Sequence, residues 1–315
     1  MSAPSFRPAP GSGAGGDVRG LLRRHPLAGF FTLACGFSWL VSLPHIASVW
    51  GPGPDGFQVG FMLKQWVGPA LAATVMTAVL EGRGGVRALR SRRRQWRAGW
   101  PWYLAVLFGA PALVLVGVLV AVGLPASPPE PWTQFLARYA VSFVLVFFAV
   151  GLPEELGWRG FALPRLQERF GPLRGTLLLG LAWAGWHLPF FLTPDHGGGP
   201  HADPVAVATN FAVFAGMVVA LAFPFTLVYN RTGGSVPLVS LLHAAIDTPQ
   251  LVWLPLWVPV GAENTTRGEW QLDLAMLGTS AVLDGAILVA TRGRLGLSPA
   301  TADASSRDSA AAVAR

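Results

Sequence analysis

Phe135-Leu136-Ala137-Arg138-Tyr139-Ala140-Val141-Ser142-Phe143-Val144-Leu145-Val146-Phe147-Phe148-Ala149-Val150-Gly151-Leu152 runs directly into Pro153-Glu154-Glu155-Leu156-Gly157-Trp158-Arg159. The first part is long and apolar enough to enter a bilayer, where a spanning helix needs about 20 residues. The second part then sets two acids where carboxylates are costly. An ionisable pair at such a place marks a functional site by default. Arg159 stands four residues after Glu155, the spacing at which side chains meet on one helix face. Glu154 is thereby left as the acid without an assigned partner.

The rest of the chain agrees with a membrane setting. Of 315 residues, 52% are hydrophobic and only 12% charged, against roughly a quarter charged in soluble domains. Mean hydropathy is +0.47. Thirteen Trp suit a protein with two membrane–water interfaces. The expected fold class is an all-α polytopic membrane protein. Net charge is +7, and all basic residues except Lys64 are arginine. Arg83, Arg87, Arg90, Arg92, Arg93, Arg94 and Arg97 share one short stretch. Between apolar segments such a run reads as a cytoplasmic loop rather than a nucleic-acid site. The single Cys35 rules out an intramolecular disulfide framework and a cysteine metal cluster.

Residues 1–24 read as a disordered lead-in and 297–315 as a disordered tail, around a membrane domain over 25–296. Leu27 to Val49 reads as an uncleaved first helix. Seven further spans are expected at 59–80, 101–124, 135–156, 175–193, 205–229, 235–256 and 272–291, giving about eight. Arginines alternate between loops so that both termini fall on the cytoplasmic side. No inverted internal repeat of the transporter kind is evident. High Arg, Ala, Gly and Pro usage suits a bacterium, and hence a bacterial plasma membrane.

Three polar clusters lie in these spans: Glu154, Glu155 and Arg159; His187 within Trp183-Ala184-Gly185-Trp186-His187; and His243 with Asp247, again four apart. Helix rise puts Glu154 roughly 20–25 Å, His187 about 18 Å, His243 about 12 Å and Asp247 about 18 Å from the cytoplasmic side. Pro164 is expected to kink or end the helix after the acids. Singly, each cluster has a structural reading as an ion pair, a core histidine or an interhelical contact. Together, two acids and two histidines at similar depth suit one polar chamber.

Their chemistry suits attack by an activated water on an amide. Glutamate serves as base towards water, histidine shares its proton or binds a metal, and a histidine oriented by a carboxylate steadies an oxyanion. Two histidines and a carboxylate are also a catalytic zinc set, here Glu154, His187 and His243, so a divalent metal is one option. The His-Glu-x-x-His helix is absent. Neither a Ser–His nor a Cys–His nucleophile is evident.

Glu154-Glu155-Leu156-Gly157-Trp158-Arg159, Trp183-Ala184-Gly185-Trp186-His187 and His243-Ala244-Ala245-Ile246-Asp247, in this order on successive helices, resemble the CPBP family. This family comprises type II CAAX prenyl proteases (Rce1-like) and bacteriocin-processing intramembrane proteases. Arg159-Gly160-Phe161-Ala162-Leu163-Pro164-Arg165-Leu166 is also family-like, and the resemblance covers about residues 138–255. It implies an intramembrane endopeptidase acting on membrane-associated or lipidated peptides. In that reading Glu154 is the base with His187 as partner, His243 and Asp247 stabilise the oxyanion, and Glu155 and Arg159 position them. The family includes members described as metalloproteases and as glutamate proteases. Trp183 stands where Phe is usual and Asp247 where Asn is common. An ionised Asp donates no hydrogen bond, so a metal-binding or histidine-orienting role for Asp247 gains weight.

Two other classes use the same residues: a non-enzymatic immunity or scaffolding factor with a structural polar cluster, and a proton-coupled transporter. Three further groups are read as peripheral. Lys64 is expected to snorkel to the outer interface, Asp284 to pair with a neighbouring helix, and Asp195, His196, His201 and Asp203 to form a solvated outer loop. Ala312-Val313-Ala314-Arg315 is not a prenylation box.

Overall fold

The computed structural model describes residues 15–51, 63–123, 131–257 and 265–297. Among them, regular structure is helical throughout. The helices are α1 (Gly15–Arg24), α2 (Pro26–Trp50), α3 (Leu71–Ser91), α4 (Trp100–Ala121), α5 (Trp132–Val146), α6 (Leu152–Gly157), α7 (Leu163–Trp186), α8 (Pro204–Arg231), α9 (Val236–Trp257) and α10 (Thr265–Thr291). The chain is an all-α, multi-pass membrane protein. The expected disorder over 1–24 is corrected in part: residues 15–24 are α1, which ends in Arg23 and Arg24. Residues 1–14 and 298–315 lie outside the described residues.

Five helices among the described residues are long and apolar enough to cross a membrane: Pro26–Trp50, Trp100–Ala121, Trp132–Leu192, Pro204–Arg231 and Trp270–Thr291. The difference from eight has three sources. The expected spans 135–156 and 175–193 fall in one 61-residue run, Trp132–Leu192, which bends where Gly171 takes φ +77° ahead of Pro172. Helix α9 contributes a shorter apolar stretch, Val236–Val252. Helix α3 carries Glu81, Arg83, Arg87 and Arg90 on its later turns, and the expected span 59–80 begins outside the described residues.

Proline shapes the segment that carries the acids. A proline inside a helix has no N–H to donate, and its ring meets the carbonyl four residues back. The chain answers by widening into single π-helical turns, one of the identifiable causes of a helix kink. Turns Ala105–Gly109, Phe147–Gly151 and Trp158–Ala162 each precede a proline by two residues (Pro111, Pro153, Pro164), and Trp66–Ala70 contains Pro69. Helix α6, with both glutamates, is therefore flanked by two wide turns, a feature frequent at functional sites.

Small residues let α6 sit deep among its neighbours. A methyl on Gly151 would lie 2.8 Å from the Ser240 carbonyl oxygen of α9. One on Gly157 would lie 2.5 Å from Pro69 Cβ and 2.6 Å from its carbonyl oxygen. Close approach through small residues is how membrane helices pack without a hydrophobic drive. Gly157→Ala is thus expected to destabilise the protein by ~1–3 kcal/mol through overpacking against backbone. Gly185→Ala, on α7 with nothing within 4 Å, is expected to be nearly neutral. Thermal unfolding of the two variants in one detergent checks the contrast, and equal melting temperatures would remove the argument.

Around α6 the bundle closes on several sides. Helix α9 packs against α4, α5 and α6, α8 against α7 and α10, and α2 against α3 and the Trp66–Ala70 turn. Ser38 of α2 donates to the Lys64 carbonyl at 2.8 Å, and the Trp39 indole to the Trp186 carbonyl at 3.1 Å. These bonds tie α2 both to the segment ahead of α3 and to the end of α7.

Candidate active site

Glu154 and Glu155 are adjacent on α6 but face different partners. Glu155 is fully buried. Its Oε1 accepts from Arg159 Nη1 at 2.8 Å and lies 2.8 Å from His243 Nδ1. The Arg159 guanidinium, also fully buried, sits 4.5 Å from the Trp183 ring centre and 4.4 Å from that of Phe225. The His243 ring touches the same two aromatics. Glu155, Arg159 and His243 thus form one desolvated unit, with the ion pair at the four-residue spacing read from the sequence.

Glu154 is held differently. Its Oε2 accepts from two indoles, Trp158 Nε1 at 3.2 Å and Trp183 Nε1 at 3.1 Å. Trp158 is on the same helical run and Trp183 on α7, so the carboxylate bridges two elements. It borders a cavity of about 540 Å³ shared with His187, His243 and Asp247. All four residues named as catalytic from the sequence therefore meet at one space. The volume lies within the ~300–1,000 Å³ of small-ligand sites.

The two histidines differ in what they offer. His187 Nδ1 is 2.8 Å from the Trp183 carbonyl oxygen. A carbonyl only accepts, so Nδ1 carries the proton and a neutral ring leaves Nε2 with a lone pair. His243 is held from both sides, by Glu155 at Nδ1 and by Asp247 Oδ2 at 3.3 Å from Nε2. Asp247 is one-third exposed and on the cavity wall, which suits the histidine-orienting role. Trp183 joins the parts: its indole holds Glu154, its carbonyl holds His187, and its ring packs on Arg159 and His243.

The option of a metal on Glu154, His187 and His243 does not fit this arrangement. Among the described residues, no three His, Cys, Asp or Glu side chains form a group that could hold a metal ion. A ligating imidazole must also present a lone pair, whereas both His243 nitrogens face carboxylate oxygens.

Three peripheral readings change. Lys64 does not snorkel outwards. It is 4% exposed, on the cavity wall, with Nζ 3.1 Å from the Phe190 ring centre and 4.3 Å from that of Trp186. His196 also lines the cavity and stacks on Phe191, because the chain after α7 folds back in two short 3-10 turns, Leu188–Leu192 and Pro194–His196. Asp203 instead caps α8 by accepting from the Val205 N–H at 3.0 Å. Asp284 is buried, with no hydrogen-bond partner at Oδ1. A signal for Lys64 was present in the sequence: the single lysine among arginines stands in an apolar stretch. His196, in a glycine-rich segment, carried none.

Comparison with known proteins bears on the same segment. Residues 134–249 match a family model described as type II CAAX prenyl endopeptidase Rce1-like. A relative named CAAX prenyl protease 2, from Methanococcus maripaludis, is 36% identical over 84 residues, covering 25% of this chain and 30% of the relative. The chain thus spans less than a third of the length of that curated relative. Glu154, Glu155, Arg159, His187, His243 and Asp247 all fall inside residues 134–249, and the stretch that carries the three motifs matches the Rce1-like family.

Proposed function

We propose that this protein is an intramembrane endopeptidase of the CAAX-protease type that hydrolyses peptide bonds with a water activated by Glu154. The observation that carries the reading is the meeting of Glu154, His187, His243 and Asp247 at one cavity, within the segment that matches the family. Glu154 takes a proton from a water hydrogen-bonded to the His187 Nε2 lone pair, and the water oxygen bonds to the peptide carbonyl carbon. The carbonyl oxygen, now negative, receives the His243 Nε2–H that Asp247 otherwise holds. Glu154 passes its proton to the amide nitrogen and the C–N bond breaks. The second proton of the water goes from the new carboxyl group to the departing amine, so that a carboxylate and an ammonium are released. Glu155 and Arg159 keep His243 in place.

The cavity walls are mainly apolar. Two of its residues, Leu145 of α5 and Leu251 of α9, are about 60% exposed on the outside of the bundle. That supports substrates delivered from the bilayer: membrane-associated or lipidated peptides with aliphatic side chains. The protein would act in a bacterial plasma membrane with both termini cytoplasmic, as the arginine distribution favours.

The test is a library of membrane-associated peptides incubated with the purified protein in liposomes, with new termini read by mass spectrometry. Wild type is expected to yield products and His187→Ala is not. Equal product from both, or none from wild type, would overturn the reading. On a cleaved peptide, Trp158→Phe keeps the ring packing but removes one N–H from Glu154. It is expected to lower kcat about tenfold with KM little changed, and an unchanged kcat would show that the indole bond is idle.

A further inference from the structure

Arg92 stands in the arginine run between α3 and α4, outside the residues that match the family, yet it turns inward. Its Nη1 donates to the Gly160 carbonyl at 2.9 Å and to the hydroxyl of the buried Tyr229 at 3.1 Å. Pro164, four residues after Gly160, has no N–H to give that carbonyl, and Arg92 brings a charged donor to it instead. Gly160 lies in the wide turn Trp158–Ala162. The same turn carries Trp158, whose indole holds Glu154, and Arg159, which holds Glu155. The chain around Arg92 is fastened at further points. Ser235 Oγ, just ahead of α9, donates to the Gln95 carbonyl at 2.5 Å. The Trp96 ring lies 6.0 Å from that of Phe147, in the wide turn before α6, and the Arg92–Arg94 turn packs on α6 and α9. One strap, residues 92–96, therefore touches both wide turns that flank the acids. By contrast, Arg90, Arg94 and Arg97 are exposed.

We propose that Arg92 is a positioning residue for the acid pair: by bracing the Gly160 carbonyl it fixes the Trp158–Ala162 turn and so keeps the Trp158 indole on Glu154; this rests on the endopeptidase reading above. A buried carbonyl without a donor is costly, so without the guanidinium the Gly160 carbonyl tilts towards another partner. Trp158 and Arg159, directly before it in the chain, move with it. A shift of about 1 Å in a group that aligns the reacting parts costs about 100-fold in rate. Tyr229 aims the guanidinium, which is why this arginine, and not its exposed neighbours, reaches the turn. The neighbours serve the charge of the loop as a whole, whereas Arg92 acts through one bond.

The test has a readout that does not depend on cleavage. Amide hydrogen exchange is measured on the full-length protein in nanodiscs, wild type against Arg92→Met. Exchange over residues 158–165 is expected to rise about tenfold, with α10 unchanged, which reports that the variant is folded. Arg94→Met removes the same charge from the same turn at an exposed position and should leave exchange and turnover as they are. On a cleaved peptide, Arg92→Met should lower kcat roughly 10- to 100-fold with KM little changed, and Arg92→Lys should restore part of it. Arg92→Met should also cost less on a Trp158→Phe background than on wild type, since both act on the same bond. Unchanged exchange over 158–165 overturns the proposal, whether or not the protein cuts. So does a rise spread over the whole bundle, an unchanged kcat, an equal effect of Arg94→Met, or full additivity with Trp158→Phe. Should Arg92→Met not fold, Tyr229→Phe removes only the hydroxyl that aims the guanidinium; a smaller local rise supports the proposal and none overturns it. If exchange responds as expected but wild type cuts nothing, the brace stands and the endopeptidase reading falls.

Discussion

Glu154→Gln is expected to lower kcat by roughly 10²- to 10⁴-fold, the usual worth of a general base, while the protein stays folded. The geometry separates the two consequences. The glutamine side-chain oxygen still accepts from the indoles of Trp158 and Trp183, which hold one carboxylate oxygen at 3.2 and 3.1 Å. Those bonds fix the side chain without calling on its basicity. The amide cannot take a proton from water, so turnover fails and peptide binding survives. Glu155→Gln has the opposite profile, because Glu155 faces the Arg159 and His243 cations rather than open space. It should lower the melting temperature first and turnover as a consequence. The check is kcat, KM and the melting temperature of both variants side by side. Full activity in Glu154→Gln would move the base elsewhere, and His187 would be the next residue to examine.

The division of labour between these adjacent acids was legible in the sequence, and the reason is geometric. A four-residue spacing on a helix fixes which carboxylate meets Arg159, and the structure has that bond at 2.8 Å. Helix rise also brought sequence-distant groups to a common depth, and they share one cavity. What stayed hidden depends on backbone features that periodicity does not encode. The prolines signalled kinks, but not that the chain would widen into π-helical turns on both sides of the acids. Those turns change the angular position of every residue that follows them, so a helical-wheel count cannot carry one face from α5 through α6 into α7. Lys64 misled because snorkelling is the default for a lone lysine in an apolar segment. The default fails where rings of other helices receive the ammonium, here Trp186 and Phe190. His196 was misplaced for a related reason: the chain after His187 turns back over the cavity instead of running on as a loop. Asp203, four residues beyond the last of three glycines, proved to be a helix cap, a role its position before Pro204 could have signalled.

Arg159→Leu is expected to destabilise the fold by ~3–5 kcal/mol, the usual consequence of removing one member of a buried ion pair. The Glu155 carboxylate would remain in a site with no solvent access, facing His243 alone, with its Oε2 already lacking a hydrogen bond. Arg159→Lys should rescue little. The guanidinium lies against both the Trp183 and Phe225 rings, 4.5 and 4.4 Å from their centres, while reaching Glu155, and a lysine ammonium does not combine broad ring contact with that bond in the same way. The decisive variant is the double one, Arg159→Leu with Glu155→Leu. Replacing both charges removes the buried carboxylate that has lost its guanidinium, so much of the stability should return. Activity should not return, because His243 loses the carboxylate at Nδ1 that fixes its ring. Thermal unfolding and peptide cleavage on the four members of this cycle give the coupling directly. A double variant as unstable as Arg159→Leu would mean that the arginine serves chiefly as packing against these two rings. A double variant that is stable and fully active would remove the pair from the catalytic account altogether.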